Sequence, residues 1–173
     1  MVKFLKVNIS RREGILENIR YLPDVANLVN RFSGKLFDDF FASDVDPVEA
    51  LISLIERASP YFWAITSSGG VFKGFVYLDD WQGSPQNPYC ATVTTCFVPK
   101  YWGGLTKYAG KRFVNYVFKR LKLRKLKAEV YQDNKYAVTL LKKIGFKHEY
   151  TMLSETIVNK KPVNIDVYSI IKE

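Results

Sequence analysis

The chain has 173 residues, of which 47% are hydrophobic, and it carries a formal net charge of +9. This length fits one domain with a buried core, and the apolar content excludes an intrinsically disordered chain. No run of about 18 apolar residues is present, and lysines interrupt the first apolar residues, so we expect neither a membrane span nor a signal peptide. A single domain over residues 1–173, located in the cytoplasm, is the prediction.

The first predicted elements are two helices. Asp24 precedes apolar residues at helical spacing and Gly34 follows them, which predicts a short amphipathic helix capped by Asp24. The run Asp46-Pro47-Val48-Glu49 predicts a second helix start, with a capping aspartate, proline at the first helical position and glutamate at the third.

Three strands are predicted next. Residues 61–66 and 71–78 are apolar and aromatic, and Ser67-Ser68-Gly69-Gly70 between them is typical of a hairpin turn. A third strand, 89–98, ends at Pro99 because proline cannot donate to a strand ladder. The only cysteines, Cys90 and Cys96, lie in this strand, too far apart to form a disulfide.

The remaining pattern alternates helices and strands. Apolar spacing predicts a long helix over 105–121, a strand over 126–130, and a helix from Asn134 to Gly145, followed by two further strands. This order predicts an α/β (α+β) fold in which helices flank both faces of a mixed, mostly antiparallel sheet.

Residues 98–106 run from a strand end through Gly103 and Gly104 into the long helix. Glycines let a ligand approach the backbone, and a helix N-terminus offers unpaired N–H groups to a pyrophosphate. A plain strand-to-helix turn is the alternative, since the spacing matches neither a P-loop nor a dinucleotide fingerprint.

The C-terminal half resembles a known family. Lys127-Ala128-Glu129-Val130, followed by Asn134, Ala137 and Lys143-Ile144-Gly145-Phe146, is similar to the second half of the GNAT family of N-acetyltransferases. The similarity is greatest to the branch that acetylates ribosomal-protein N-termini. The preceding strands, the glycine loop, the long helix and a late Asp166-x-Tyr168 occur in the family's order.

The resemblance implies acetyl-coenzyme A as co-substrate and no metal. Strand 89–98 would diverge from strand 126–131 and expose its end to the pantetheine arm, and the N–H of Phe97 or Val98 would polarise the thioester carbonyl. Asn134 would contact the cofactor arm, and Lys100, Lys111 and Arg112 would lie near the phosphates. The implied cofactor-binding residues are Cys96, Phe97, Val98, Trp102, Gly103, Gly104, Leu105, Thr106, Lys107 and Asn134.

Three residues depart from the family pattern. Tyr101 takes the usual glutamine or arginine position of the glycine loop, and Thr106 replaces its last small residue, although a one-residue deletion aligns equally well. Thr106 would crowd the phosphate or add a hydroxyl donor to it. Leu141 stands where many members have a tyrosine that protonates the leaving thiolate, so a slow or inactive protein is an alternative.

Glu129 is the candidate general base, because related enzymes have a glutamate in a matching strand. The alternative is an outward-facing glutamate flanked by Lys127. Asp79, Asp80 and Trp81 are predicted to end a strand beside the amine acceptor, with a solvated turn as the alternative. His148 is interpreted as structural, and one histidine with two cysteines predicts no metal site.

The positive charge lies in the second half of the chain. Residues 1–98 have 9 basic and 11 acidic side chains, whereas residues 99–173 have 17 and 6. A phosphate-bearing cofactor, a nucleic acid or a solvated lysine-rich face would each explain this asymmetry.

Three functions are compatible with these patterns. The first is acetyl transfer to a primary amine, either a protein N-terminus or a small molecule, with the loops around 33–46 and 79–90 shaping the acceptor pocket. The second is a nucleic-acid-binding or nucleobase-modifying protein of the same fold. The third is a catalytically silent coenzyme A binder. No motif encodes the acceptor, the acyl length or the oligomeric state.

Overall fold

A computed structural model describes residues 1–39 and 46–172, and of Pro47 only the backbone. Within these residues the strands are β1 (Val2–Lys6), β2 (Asn8–Ser10), β3 (Ile15–Glu17), β4 (Phe62–Ser67), β5 (Phe72–Ser84), β6 (Asn87–Phe97), β7 (Lys125–Tyr131), β8 (Lys147–Val158) and β9 (Lys161–Ile171). The helices are α1 (Leu22–Arg31), α2 (Ser33–Leu36), α3 (Pro47–Ala58), α4 (Gly104–Arg120) and α5 (Lys135–Ile144). None of these helices is long and apolar enough to cross a membrane.

Seven strands form one sheet in the order β1-β4-β5-β6-β7-β9-β8, and β2 pairs with β3 in a separate hairpin. Antiparallel ladders join β1 to β4, β4 to β5, β7 to β9 and β8 to β9, whereas β6 and β7 are parallel. The predicted fold class, a mixed and mostly antiparallel sheet with flanking helices, is confirmed.

The chain divides into two compact units. The first contains residues 1–79 and 95–100. In its core the apolar faces of α1 and α3 pack against Phe62 of β4 and Phe75 and Tyr77 of β5. The Phe62 ring stacks on those of Phe75 and Tyr77 at centroid distances of 5.5 and 5.6 Å. Each such buried side chain stabilises the fold by about 1.5–3 kcal/mol.

The second unit contains residues 80–94 and 101–173. Helix α4 buries Phe113 and Val117 here, and β7 buries alternate residues from Leu126 to Val130. Helices α4 and α5 approach closely at Gly110, where a Cβ atom would lie 3.1 Å from the Ile144 side chain.

The predicted helix boundaries are correct for α3, α4 and α5, and wrong for α1. Asp46 caps α3 by accepting hydrogen bonds from the N–H groups of Val48 (2.9 Å) and Glu49 (3.2 Å). Helix α1 begins at Leu22, so Asp24 is its third residue and not its cap. The N-terminal strands β1 to β3 were not predicted.

The strands around the glycine turn differ from the prediction mainly in length. Residues 67–71 form the expected turn, but β5 continues to Ser84 and β6 begins at Asn87. Most of residues 79–90 therefore lie in two strands, and not in the predicted acceptor loop. Of the other predicted acceptor loop, residues 40–45 lie outside the described part of the chain, and residues 33–36 form α2.

Candidate cofactor site at the start of helix α4

The parallel ladder between β6 and β7 is short. It joins Cys90–Thr92 to Lys125–Lys127, while β6 runs on to Phe97 and β7 to Tyr131. The last five residues of β6 therefore lie outside this ladder. A short ladder is compatible with the divergence of these strands that the family resemblance implies.

The end of β6 is held against β5 in the first unit. A Cβ atom at Gly74 of β5 would lie 2.2 Å from the Cys96 carbonyl oxygen, so only glycine allows this approach. The Val98 N–H donates to the Lys73 carbonyl oxygen at 2.9 Å. One of the two N–H groups predicted to polarise a thioester is therefore engaged within the fold.

The Cys96 thiol is held in its protonated form. Burial raises its pKa to about 12, and a hydrogen bond from the Phe97 backbone offsets this only in part. The thiolate is the nucleophilic form of cysteine. Cys96, which packs against the core of the first unit, is therefore unsuited to forming an acyl-enzyme intermediate.

Helix α4 begins without a side-chain cap. Its N-cap residue, Gly103, has φ of 102°, a left-handed conformation that strongly favours glycine. The first N–H groups of a helix have no acceptor within the helix, so those of Gly104, Leu105 and Thr106 point outward from its start. A Cβ atom at Gly103 or Gly104 would meet nothing within 4 Å. The space beside these N–H groups is therefore open.

The Thr106 hydroxyl has a structural role at this helix start. The side chain is 5% exposed, its Oγ1 donates to the Gly103 carbonyl oxygen at 2.9 Å, and the Gly103 N–H donates to Oγ1 at 3.2 Å. These bonds fix the turn that exposes the N–H groups. The same two bonds engage the Thr106 hydroxyl, which was one candidate donor to the phosphate.

An exposed aromatic pair lies beside the glycine loop. The Trp102 and Tyr136 rings are 5.2 Å apart, and these residues are 45% and 76% exposed. Asn134, two residues before Tyr136, caps α5 by accepting from the Ala137 N–H at 3.3 Å. The contact between the aromatic rings brings the start of α5 to the start of α4, so the predicted residues Trp102 and Asn134 belong to one neighbourhood.

The predicted phosphate-binding cations of α4 are exposed. Lys107, Lys111 and Arg112 all lie on the solvent-facing side of the helix. The Arg112 guanidinium donates to the Tyr108 hydroxyl at 3.1 Å and lies 5.8 Å from the centre of its ring. Within the second unit these side chains supply positive charge next to the uncapped helix start.

Asp80, predicted to attract the acceptor amine, already has a cationic partner. The Lys127 ammonium donates to Asp80 Oδ2 at 3.1 Å, and the Thr92 hydroxyl donates to the same oxygen at 3.3 Å. Asp79, Asp80 and Trp81 continue β5 and do not end it, so the predicted strand end is wrong. Asp80 has φ of 46°, which interrupts the extended backbone at this point.

Glu129 lies on the same side of β7 as Lys127, because side chains two residues apart in a strand share a face. The Glu129 side chain is exposed. The pKa of Lys127 is raised: partial burial opposes the positive charge, but Asp80, and more weakly Glu129, outweigh it. Asp80, Lys127 and Glu129 therefore form one cluster of charges in the second unit.

Comparison with known proteins identifies the family. A model described as "Acetyltransferase (GNAT) domain" matches residues 19–147. The chain belongs to the GNAT acetyltransferase family. A curated relative from Bacillus subtilis (strain 168), "Uncharacterized N-acetyltransferase YoaA", is 33% identical over 76 residues. That alignment spans 43% of this chain and 43% of the relative, less than half of each.

Solved GNAT structures share the fold. An acetyltransferase of the GNAT family from Bacillus anthracis has a TM-score of 0.74 and 14% identity, with 98% of this chain and 94% of that chain covered. A spermidine N-acetyltransferase from Vibrio cholerae, in complex with CoA and spermine, has a TM-score of 0.73 and 18% identity, with 98% and 95% covered.

Leu141 and His148, which the sequence singled out after Asn134, both have local contacts. Leu141 is half-buried, and its carbonyl oxygen accepts from the N–H groups of Gly145 and Phe146, so it contributes to the end of α5. His148 lies 3.5 Å from Asp166 Oδ1 and 3.2 Å from the Thr151 hydroxyl. These contacts agree with the structural interpretation of His148.

Tyr136, whose ring contacts that of Trp102, was not among the predicted residues. Its position two residues after Asn134 was available, but an exposed tyrosine on a helix gives no signal by itself. Among the described residues, no group of three or more histidine, cysteine, aspartate or glutamate side chains could hold a metal ion.

Proposed function

We propose that this protein is an acyltransferase that moves the acetyl group of acetyl-coenzyme A to a primary amine. The observation that carries the proposal is the open, uncapped start of α4, where two glycines leave backbone N–H groups exposed. Membership of the GNAT family supports it. Because the family match covers parts of both compact units, we treat residues 1–173 as one domain.

The cofactor would be held mainly by its phosphates. The N–H groups of residues 104–106 and the positive end of the α4 dipole would bind the pyrophosphate. Lys107 and Lys111 would add charge, and the Asn134 amide would contact the cofactor arm. Cys96, Phe97 and Val98 would line the pantetheine arm, and a backbone N–H at this end of β6 would polarise the thioester carbonyl.

The chemistry would be a direct transfer. The acceptor nitrogen forms a bond to the acetyl carbonyl carbon, the carbon–sulfur bond breaks, and coenzyme A leaves as its thiolate. Glu129, directly or through one water molecule, accepts the proton that the amine must lose. Because Leu141 has no proton to give, the thiolate is protonated from solvent.

The acceptor would be a small-molecule amine or a protein N-terminus of the kind that the ribosomal-protein branch acetylates. The carboxylates of Asp79 and Asp80 favour a cationic amine. An amine that reaches Asp80 must compete with the Lys127 ammonium for the same oxygen. A spermidine-like polyamine carries enough charge to do so, which makes polyamines the first acceptors to test.

A second candidate function is a silent coenzyme A binder. The apolar Leu141 favours it, since this side chain cannot protonate a leaving thiolate. In either case a cytoplasmic location remains a prediction, which cell fractionation tests.

The test is a thiol-release assay with acetyl-coenzyme A and two acceptor sets, polyamines and short peptides with free N-termini. Calorimetry of the same preparation with acetyl-coenzyme A runs beside it. Turnover with either set supports the enzyme and names the acceptor class. Micromolar binding without turnover supports the silent binder, and the absence of binding contradicts both functions.

Glu129→Gln tests the general base. We expect kcat to fall by about 100-fold, because the amide cannot accept the proton, while the affinity for acetyl-coenzyme A stays unchanged. Glu155→Gln is the matched control, since Glu155 is an exposed glutamate on β8. Equal activity of the two variants would remove Glu129 from the mechanism.

A further inference from the structure

A polar groove in the first unit is separate from the residues assigned to the cofactor. It has a volume of about 620 Å³ and lies among β1, the start of α1 and the turn between β4 and β5. Its lining residues are Lys3, Leu5, Arg20, Tyr21, Asp24, Thr66, Ser67, Ser68, Gly69 and Gly70. Charged side chains, hydroxyl groups and glycine backbone dominate this set, so the groove is suited to a polar ligand.

Thr66 gives the first indication of a ligand. It is 0% exposed, and its Oγ1 has no hydrogen-bond partner in residues 1–39 and 46–172. A buried hydroxyl without a partner destabilises a protein, and such a group often marks the place of a water molecule, an ion or a ligand. Thr66 pairs directly with Lys3 across β1 and β4. Both residues line the groove.

The charges of the groove give the second indication. Lys3 and Arg20 are cationic and Asp24 is anionic, which leaves an excess of one positive charge. None of the three forms an ion pair with another residue in the described part of the chain. An anionic ligand would supply the missing counter-charge.

Arg20 is positioned before any ligand arrives. Its guanidinium lies 4.9 Å from the centre of the Tyr21 ring, and the Tyr21 hydroxyl in turn donates to the Gly70 carbonyl oxygen at 3.2 Å. A stacked guanidinium loses little freedom on binding, and its planar donors match the geometry of carboxylate and phosphate oxygens.

The backbone at the start of α1 contributes little positive charge. A 3-10 helix, Ile19–Tyr21, runs directly into α1, the Leu22 N–H donates to the Ile19 carbonyl oxygen, and Pro23 has no N–H. Ser67 accepts a hydrogen bond from the Val71 N–H at 3.1 Å, which leaves its own hydroxyl proton able to donate to an anion.

We propose that this groove binds a small oxyanion, a metabolite that carries a phosphate or carboxylate group. Lys3 and Arg20 provide the charge, and Thr66 and Ser67 provide hydroxyl donors. The site is independent of the acetyl-coenzyme A proposal, since it shares no residue with the predicted cofactor set.

Amide NMR titration of the full chain tests the site. The probes are inorganic phosphate and citrate, each added at constant ionic strength against sodium chloride. We expect saturable changes in the amide chemical shifts of Thr66, Ser68, Gly69 and Gly70 with at least one probe. The probe that binds with the lower Kd indicates whether the ligand carries a phosphate or a carboxylate. Shifts that do not saturate, or that chloride reproduces, overturn the proposal.

Variants that each remove one positive charge provide a second test of the site. Lys3→Ala and Arg20→Ala should each raise the Kd by about tenfold, because each removes one charge-assisted contact. Lys6→Ala and Arg31→Ala are matched controls: Lys6 is an exposed lysine of β1 outside the groove, and the Arg31 guanidinium stacks on Phe32 as that of Arg20 does on Tyr21. An equal loss of affinity in all four variants would mean non-specific attraction and would reject the site.

Thr66→Val tests the buried hydroxyl. This replacement keeps the shape and removes the polar group, so the ligand-free protein should have a higher Tm than wild type. The rise in Tm that the anion produces should be smaller than in wild type. A lower Tm in the valine variant would show that the hydroxyl already has a partner, and an undiminished anion effect would exclude it from the site.

Discussion

The helix starts of this protein are of two kinds. Helices α3 and α5 are capped by their own side chains, Asp46 and Asn134, whose oxygens accept first-turn N–H groups. Helices α1, α2 and α4 have Tyr21, Phe32 and Gly103 at the N-cap position and no such side-chain bond. A cap supplies from within the chain the negative oxygen that an anion would otherwise supply. Of these three uncapped helices, α1 and α4 are the ones beside which we propose anions.

The largest expected effect is that of Gly104→Trp at the uncapped start of α4. No atom lies within 4 Å of a Cβ at this position, so the indole can be accommodated but would fill the space beside the N–H groups. We expect the affinity for acetyl-coenzyme A to fall by about 100-fold, or about 2.7 kcal/mol, in calorimetry.

The matched control for this variant is Gly34→Trp. Gly34 is also a helical glycine with nothing within 4 Å of its Cβ position. The Gly34→Trp variant should bind acetyl-coenzyme A with the affinity of the wild type. If both tryptophan variants bind as wild type does, the open start of α4 is not the phosphate site.

Asn134→Asp separates capping from cofactor binding at α5. Aspartate caps a helix as well as asparagine does, so the free energy of unfolding should change by less than about 0.5 kcal/mol. The variant loses the amide donors and gains a negative charge. We therefore expect about tenfold weaker binding of acetyl-coenzyme A. Unchanged affinity would limit Asn134 to its capping role.

The smallest effect is expected for Asp46→Ala at the capped start of α3. Loss of the two bonds to Val48 and Glu49 should lower the stability by about 1 kcal/mol, equivalent to about 2–4 °C in Tm. Thermal unfolding measures this change, and calorimetry should give an unchanged Kd for acetyl-coenzyme A. A higher Kd would mean that capping of α3 also affects the binding of acetyl-coenzyme A. The distinction between capped and uncapped helix starts would then be less sharp.

Local signals were reliable where one residue type has one physical role. The Asp46 and Asn134 caps, the Gly145 helix end and the turn at 67–71 were predicted because hydrogen bonding or backbone freedom restricts each position. Helix α1 was misplaced because Asp24 fits the third helical position as well as the cap. Strands β1 to β3 were missed because five or fewer residues show little alternation.

Side-chain contacts between distant parts of the chain could not be predicted from the sequence. Asp80 and Lys127 are 47 residues apart in the chain, and nothing in either segment indicates that they form an ion pair. Tyr136 contacts Trp102 only because α4 and α5 pack at Gly110 and Ile144. The predicted acceptor carboxylate is therefore partly neutralised, and the cofactor neighbourhood contains an aromatic residue that the motif did not include.

The sequence by itself determined the order of helices and strands from α3 onwards, the family, and the glycine loop that opens α4, because periodicity, capping and backbone freedom are local properties. Tertiary structure alone decided which N–H groups and charges remain available. The Val98 N–H is engaged by Lys73, the Thr106 hydroxyl by Gly103, and Asp80 by Lys127. Of these partners, Lys73 and Lys127 are brought close only by folding, and the same process buries the Thr66 hydroxyl without a hydrogen-bond partner among the described residues.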